Sequence, residues 1–428
     1  MLHPERIGGT RGKGTPRKPM QAITVRKAVS HKWTFKQRMR AKAFGWRGSR
    51  LAIERLKEAA SEIRAVVRRD PVLAADGAVG LVERVWPAFE HIDTSSGALG
   101  GAVQRTLDDL IPLIATAPAD PQTREGWLDR LWMAILGDGV SYLSPVEEAW
   151  GDLCGSAKVA SRWADEILPL LRTAWSDPRP GNYVKGTDVC LASLLVAGRH
   201  EELFAVLALK PRPIWPWRRY GIRALMAEGR LDDALAYAEA SRGLNIPNTA
   251  IDAECEAILL ASGRRDEAYR QYALTANSTS TGLATFRRLA ERYPEIDPAQ
   301  LLSDLADSSG DPGRWFAAAK EAGHLEQAFS LATAGRTDPR TLIRASRDFL
   351  KSEPGFALRV GRLAVERILA GQGYEITTLD LAAAVDHFLA AATRLGMAAD
   401  AQRELSQMLA SHPEVPPFAR LQVSRRTR

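Results

Sequence analysis

The chain has 428 residues, of which 45% are apolar and 25% charged, and its formal net charge is +7. Those proportions suit a chain that buries a sizeable core, and the length exceeds what one compact core usually reaches, so two domains or an elongated array is expected. Arg, Lys, Asp or Glu interrupts every apolar run before the roughly 18 to 20 residues needed to cross a bilayer, so no membrane partner is expected.

Charge is unevenly placed along the chain. Residues 1–50 hold fourteen Lys or Arg against one acid, Glu5, which gives +13, and the remainder carries −6. The pattern is a basic arm on a mildly acidic body. Gly8, Gly9, Gly12, Gly14, Pro16 and Pro19 interrupt the arm, which has few large apolar side chains, so residues 1–32 are expected to be disordered. No continuous apolar stretch follows the basic start, as a secretory signal requires; an organellar transit peptide is the lesser alternative. The stretch Gly8-Gly9-Thr10-Arg11-Gly12-Lys13-Gly14-Thr15 is not a phosphate loop, because Gly14 follows Lys13 where Ser or Thr is needed and no strand precedes it.

The segment from Trp33 to Arg47 interleaves Trp33, Phe35, Phe44 and Trp46 with Lys36, Arg38, Arg40, Lys42 and Arg47. Two readings stand side by side. Cations can displace counterions from phosphates while flat rings stack on unpaired bases, which makes residues 1–47 a candidate nucleic-acid contact. Alternatively Trp33, Phe44 and Trp46 cap the first helix of the body and the cations are solvated around them; the position of Trp46 directly before that helix favours this second reading for the aromatics.

From Leu51 onward apolar residues fall at helical spacing. Leu51, Ile53, Leu56, Ala60, Ile63 and Val67 form one stripe, Val103, Leu107, Leu110 and Ile114 another, and Trp127, Leu131 and Ile135 a third. Asp-Pro pairs at Asp70, Asp120, Asp297, Asp311 and Asp338 mark helix starts, since Asp accepts from first-turn amides and Pro loses no bond at the first helical position. Pro112 inside an apolar helical pattern predicts a kink or break near Ile111. No stretch alternates strictly in the manner of a strand.

A junction then recurs, in which an Ala-rich helix ends at Gly and a second helix starts within about three residues. It reads Gly198-Arg199-His200-Glu201-Glu202-Leu203, Gly229-Arg230-Leu231-Asp232-Asp233-Ala234, Gly263-Arg264-Arg265-Asp266-Glu267-Ala268 and Gly323-His324-Leu325-Glu326-Gln327-Ala328. The last spacing is about twice the others and implies one degenerate junction between residues 263 and 323. A period near 34 is that of tetratricopeptide helix pairs, which must stack on neighbours to bury their apolar faces. Helices continue beyond, with Leu358, Leu363 and Ile368 in one and Leu379, Ala383, Phe388 and Ala391 in another. The expected fold is all-α, an α-solenoid of stacked antiparallel helix pairs. Its expected parts are an arm at 1–32, an N-terminal helical region at 33–180, a repeat region at 181–412 and a frayed tail at 413–428.

These junctions resemble tetratricopeptide-like repeats, although the full Trp, Leu-Gly, Tyr and closing Pro pattern occurs in no single unit. Several longer stretches are similar to an uncharacterised family of bacterial proteins with tetratricopeptide-like helices. They are Ala-Phe-Gly-Trp-Arg-Gly-Ser at 43–49, Ser-Ser-Gly-Ala at 95–98, Ala-Pro-Ala-Asp at 117–120, Ala-Ile-Asp-Ala-Glu-Cys-Glu-Ala-Ile-Leu-Leu at 250–260, Tyr269 with Tyr-Ala-Leu-Thr-Ala-Asn at 272–277, and Trp-Phe-Ala-Ala-Ala-Lys at 315–320. The resemblance implies the helical fold and brings no catalytic residues with it.

Chemistry-bearing side chains are scattered. None of the seven histidines has a second His three or four residues away, and Cys154, Cys190 and Cys255 lie far apart with no metal-binding spacing, so no metal or cofactor is expected and the cysteines read as buried apolar residues of a reducing cytoplasm. Around Trp215, Trp217, Arg218 and Arg219 a Pro-rich stretch carries a dense aromatic and Arg cluster, read either as a partner contact or as core filling between repeats. With no complete catalytic motif, the expected function is a cytoplasmic scaffold that binds a protein through its array. Nucleic-acid binding through residues 1–47, and an enzyme whose site is assembled only in the fold, are the alternatives.

Overall fold

The computed structural model describes residues 31–177, 183–210, 214–243 and 246–412. The arm up to Ser30, its glycine-rich stretch and the tail from residue 413 lie outside the described residues. Among the described residues every regular element is helical and no strand is present. The chain divides into two compact units, one up to Val159 and the other from Ala160.

In the first unit a single turn, α1 (Phe35–Arg38), precedes α2 (Ser49–Val67), α3 (Pro71–Phe89), α4 (Ala98–Thr116) and α5 (Pro121–Gly137), then two short turns, α6 (Ser144–Glu148) and α7 (Trp150–Cys154). Helices α2, α3 and α4 each pack on the other two, α5 packs on α3, and α1 lies on both α2 and α3. The buried stripe of α2 is Ala52, Leu56, Ala59, Ala60, Ile63 and Val66. It keeps the middle of the expected stripe and rotates its ends: Leu51 is exposed and Val66 replaces Val67 in the core. The α4 and α5 stripes are buried as expected.

The break expected at Pro112 does not occur, and α4 runs unbroken from Ala98 to Thr116. Pro112 removes one helical bond, to the carbonyl of Asp108, and Asp108 is exposed, so water can take up that carbonyl. The buried Leu107, Leu110, Ile111 and Ile114 hold the helix on both sides of the proline.

Helix α8 (Ala157–Ser176) leads to a series of helices joined in twos by short turns. They are α9 (Thr187–Val196) with α10 (His200–Ala208), α11 (Trp215–Ala227) with α12 (Leu231–Glu239), and α13 (Asn248–Ala261) with α14 (Arg265–Ala268), which continues through a π turn at Tyr269–Ala273 into α15 (Leu274–Ala276). Next come α16 (Gly282–Arg292) with α17 (Pro298–Ser308), a 3-10 turn at Pro312–Trp315 running into α18 (Phe316–Glu321) with α19 (Leu325–Ala334), α20 (Pro339–Phe349) with α21 (Pro354–Leu369), and α22 (Thr378–Arg394) with α23 (Ala398–Ser411). Successive helices pack on each other from α9 to α14 and within α16–α17, α18–α19, α20–α21 and α22–α23; α17 also packs on α18, α21 on α22, α9 on α11, α16 on α18, α19 on α21 and α20 on α22.

Local chemistry sets the ends of these helices. Asp70, Asp120, Asp297, Asp311 and Asp338 all accept first-turn amides, at 2.9, 3.0, 2.9, 3.0 and 2.8 Å. At the four junction glycines φ is +70, +74, +72 and +83°, the left-handed region that only glycine enters without strain. The amide that follows each one donates back to the carbonyl five residues earlier, from Arg199 to Leu194, Arg230 to Leu225, Arg264 to Leu259 and His324 to Ala319, at 2.9 to 3.0 Å. The same bond closes α21 at Gly371 and α22 at Gly396. Gly396-Met397-Ala398-Ala399-Asp400-Ala401 is thus a further junction, hidden in the sequence because Met and Ala stand where Arg and Leu stand at Gly229. Between Gly263 and Gly323 a connection without glycine joins α16 to α17 through Tyr293 and Pro294, with Asp297 as the cap.

Ion pairs link α8 to the turn before α10 and, from α12 onward, each group of helices to the next. Arg199 reaches Asp165 at 2.6 Å, Arg264 reaches Asp232 at 2.5 Å, Arg265 reaches Glu295 at 2.5 Å, Arg292 reaches Glu256 at 3.0 Å and Arg340 reaches Asp380 at 3.0 Å; Arg287 with Glu321, Arg359 with Glu326 and Arg362 with Glu404 do the same. The partners lie 30 to 42 residues apart. Exposed pairs contribute only about 0 to 1 kcal/mol each. Their main effect is therefore on register, while the apolar core supplies the stability.

Candidate functional site

The aromatic and basic segment of the first unit is the place where the sequence-derived candidates converge. The side chains of Trp33, Phe35, Met39 and Phe44 are buried. They are seated along α3, whose Asp-Gly-Ala-Val-Gly stretch offers a track of small residues. A Cβ built on Gly77 would lie 2.4 Å from the Trp33 ring, so that position is open because the indole fills it. Lys36 passes over Gly80, the Lys42 amide donates to the Pro87 carbonyl at 2.8 Å, and Phe44 meets Phe89 with ring centres 5.6 Å apart. Glu62 of α2 holds the start of the segment by accepting the Thr34 amide and hydroxyl, both at 2.7 Å, and the Phe35 amide at 3.2 Å.

Three of the four aromatics are thereby internal anchors, and Trp46 is not. Its side chain is 67% exposed. Its carbonyl accepts the Asp93 amide at 2.9 Å, so the ring stands on a fixed backbone. Among the cations, Arg38 pairs with Glu58 at 2.7 Å. Hydrogen bonding from Arg55 first, and then from Arg38, holds the Glu58 carboxyl below its usual range.

The second cluster has a different outcome. Trp215 and Trp217 are buried, and the Trp217 ring lies 4.8 Å from that of Trp175. The Arg218 guanidinium lies 3.8 Å from the Tyr237 ring centre, and it donates to the Ser241 hydroxyl at 2.5 Å and the Tyr237 carbonyl at 2.8 Å. Arg219 pairs with Glu254 at 3.6 Å. These four side chains fill and tie the packing of α11 against its neighbours.

Periodicity gave no signal for two polar networks, one buried around Glu256 and one partly exposed around Arg242. In one, Glu256 accepts from the Tyr293 hydroxyl at 2.6 Å, the Asn277 amide at 2.8 Å and Arg292 at 3.0 Å. In the other, Arg242 donates twice to Glu239, at 2.5 and 2.7 Å, and once to Asp252 at 2.6 Å, while the Cys255 thiol faces Glu239 at 3.5 Å. Arg242 holds the Glu239 carboxyl down at about 2, whereas burial first and Glu239 second push the Cys255 thiol up to about 12. A thiol so placed stays protonated and is a poor nucleophile.

Glu239 gives an acid-stability prediction. Its folded value lies below the ordinary 4.5, so the stability from the Arg242 pair is complete above pH 4.5 and is lost as pH falls through about 2. Urea midpoints of the wild type and Glu239→Gln should differ at neutral pH and converge in acid. A gap that stays constant down the pH range would refute this.

A depression of about 760 Å³, open to solvent, lies beside the turn between α19 and α20 and includes Asp311, Thr333, Arg336, Glu366, Arg367 and Gln372. Arg367 is buried and donates to the carbonyls of Thr337 at 3.1 Å, Gly335 at 2.7 Å and Ala332. Asp311 binds the other side of the turn, accepting the Arg336 amide at 2.6 Å, and Thr337 donates to the Gly313 carbonyl at 2.9 Å. All of Arg367's bonds go to backbone, so its chemistry here is to tie a turn.

The histidines stay apart. His200 bonds Glu228 at 2.8 Å, and burial first, with Arg347 second, lowers His387 below the ordinary imidazole range. Among the described residues no three His, Cys, Asp or Glu side chains gather as a metal site, and the three cysteines are buried and form no disulfide. Among the described residues no helix is long and apolar enough to cross a membrane.

Compared with known proteins, the chain matches no family model and no curated protein.

Proposed function

We propose that the chain is a non-enzymatic helical-repeat scaffold of the tetratricopeptide-like kind, working in the cytoplasm by binding a protein partner along its array. The observation that carries this reading is the set of ion pairs repeated at 30 to 42 residues, which matches the period of stacked helix pairs. A helix pair leaves one apolar face open, so pairs at that period are read as stacking into an α-solenoid, an arrangement that presents an extended concave surface. Such a surface suits a peptide or protein better than a small molecule, which needs a deeper and more enclosed cleft. The similarity to uncharacterised bacterial proteins with helices of this type points the same way.

Arg223 on α11 and Arg288 on α16, both on first helices of their pairs, have no ion-pair partner. The reading therefore predicts a partner retained on the immobilised full chain after nuclease treatment, rebound when purified, and released by Arg223→Glu with Arg288→Glu. Retention only without nuclease, or a purified partner indifferent to both reversals, would overturn it.

A further inference from the structure

Ten of the eleven tryptophans are buried or half-buried, and Trp46 alone is exposed. Leaving an indole in water forgoes the largest apolar burial a side chain can offer. The neighbouring Phe44 is buried against Phe89, so the same segment does reach the core two residues earlier. Open space around Gly45 and the bond from the Gly48 amide to the Gly45 carbonyl, at 2.8 Å, present the ring outward on a tight turn.

The charges along this segment are unmatched in sequence, Asp93 being the acid that meets the Trp46 backbone from outside it. Residues 31–69 hold twelve Lys or Arg against three acids, Glu54, Glu58 and Glu62. Glu58 serves Arg38 and Arg55, Glu54 faces Arg50 at 3.5 Å, and Glu62 caps α1. Lys32, Lys36, Arg40, Lys42 and Arg47 are left without a carboxylate. The burial of Trp33, Phe35, Met39 and Phe44 fixes the backbone that carries them.

We infer that this anchored segment is a binding site for single-stranded nucleic acid, with Trp46 stacking on one base and Lys32, Arg40, Lys42 and Arg47 meeting phosphates. An unpaired base offers a flat face that a lone exposed indole can cover, and a strand supplies phosphates at short intervals for cations spread over a segment. A membrane surface fits less well, because between residues 31 and 69 only Trp46 and Leu51 are large apolar side chains left exposed, too little area for insertion. The proposal does not depend on the scaffold reading.

The test uses the full chain, fluorescein-labelled oligouridylate and oligothymidylate, and vesicles of phosphatidylcholine with phosphatidylserine. Binding to both oligonucleotides is expected, weakening steeply with salt. Trp46→Ala should lower affinity roughly 5- to 100-fold with the salt slope unchanged, since stacking carries no counterion. Replacing Lys32, Arg40, Lys42 and Arg47 by Gln together should reduce the slope by up to about 3, at roughly 0.7 per phosphate on a single strand. A bromouridine-substituted strand should crosslink at Trp46. Circular dichroism should match the wild type, because all five side chains are exposed. No binding at low salt, oligonucleotide binding indifferent to both variants, or Trp46-dependent binding to vesicles in place of oligonucleotides would each overturn the proposal.

Discussion

Replacing Arg367 by Met should destabilise the unit that begins at Ala160 by about 3 to 5 kcal/mol, the lower part of the sum expected when three acceptors lose a charged donor at about 1 to 3 kcal/mol each. Its guanidinium is the shared donor to Ala332, Gly335 and Thr337, carbonyls at the end of α19 and in the turn that follows. A carbonyl at a helix end has no partner within the helix and needs one from elsewhere. Thermal unfolding followed by circular dichroism should fall by roughly 10 °C for a unit of this size. Arg367→Lys should land between the two, because an ammonium offers three donors but not the planar fork that reaches three carbonyls at once. A shift for Met under about 2 °C would mean that water from the adjoining depression replaces the guanidinium without loss.

The second large effect belongs to Trp33 and Gly77 and is best measured as a cycle. Trp33→Ala should cost about 3 to 5 kcal/mol, as for other buried aromatics truncated to Ala. Gly77→Ala in the wild type should cost about 1 to 3 kcal/mol, since the new methyl would stand 2.4 Å from the indole and something must move. In the Trp33→Ala background the same change should be neutral or stabilising by up to about 1 kcal/mol, because the ring is gone and Ala is the better helix former. The coupling between the two sites is therefore the informative quantity. Simple additivity would show that Trp33 does not occupy the Gly77 notch in solution. The burial of this segment also decides how the arm can be removed: truncation after residue 47 would strip Trp33, Phe35, Met39 and Phe44 from the core, whereas truncation after residue 30 leaves them in place.

What the sequence made legible is what local chemistry dictates. Asp70, Asp120, Asp297, Asp311 and Asp338 each cap a helix or 3-10 turn, and the four junction glycines have positive φ, because both depend on only a few adjacent residues. Core stripes were legible where one face dominates, as with Val103 to Ile114, and blurred where apolar residues wrap further round, as with Leu51 and the exposed Leu379. The destination of Trp33 was not legible, since it depends on a small-residue track on α3 more than forty residues later. Nor was Arg367, one arginine among many until the turn it reaches is folded. Of the candidate contact residues, the structure separates ring from ring: Trp33 and Phe35 are interior, as are Trp215 and Trp217, while Trp46 remains outside.

The Arg367 clip also has a consequence for synthesis. The carbonyls it ties belong to residues that leave the ribosome about 32 residues before it does. At translation rates of about 5 to 20 residues per second, the turn after α19 is made roughly 2 to 6 s before its clasp arrives. Until then α19 can form, but its last carbonyls depend on water. The order of emergence thus makes α21 the element that locks α19 and α20, and a nascent chain stalled before Arg367 should expose this turn to protease where the released chain does not.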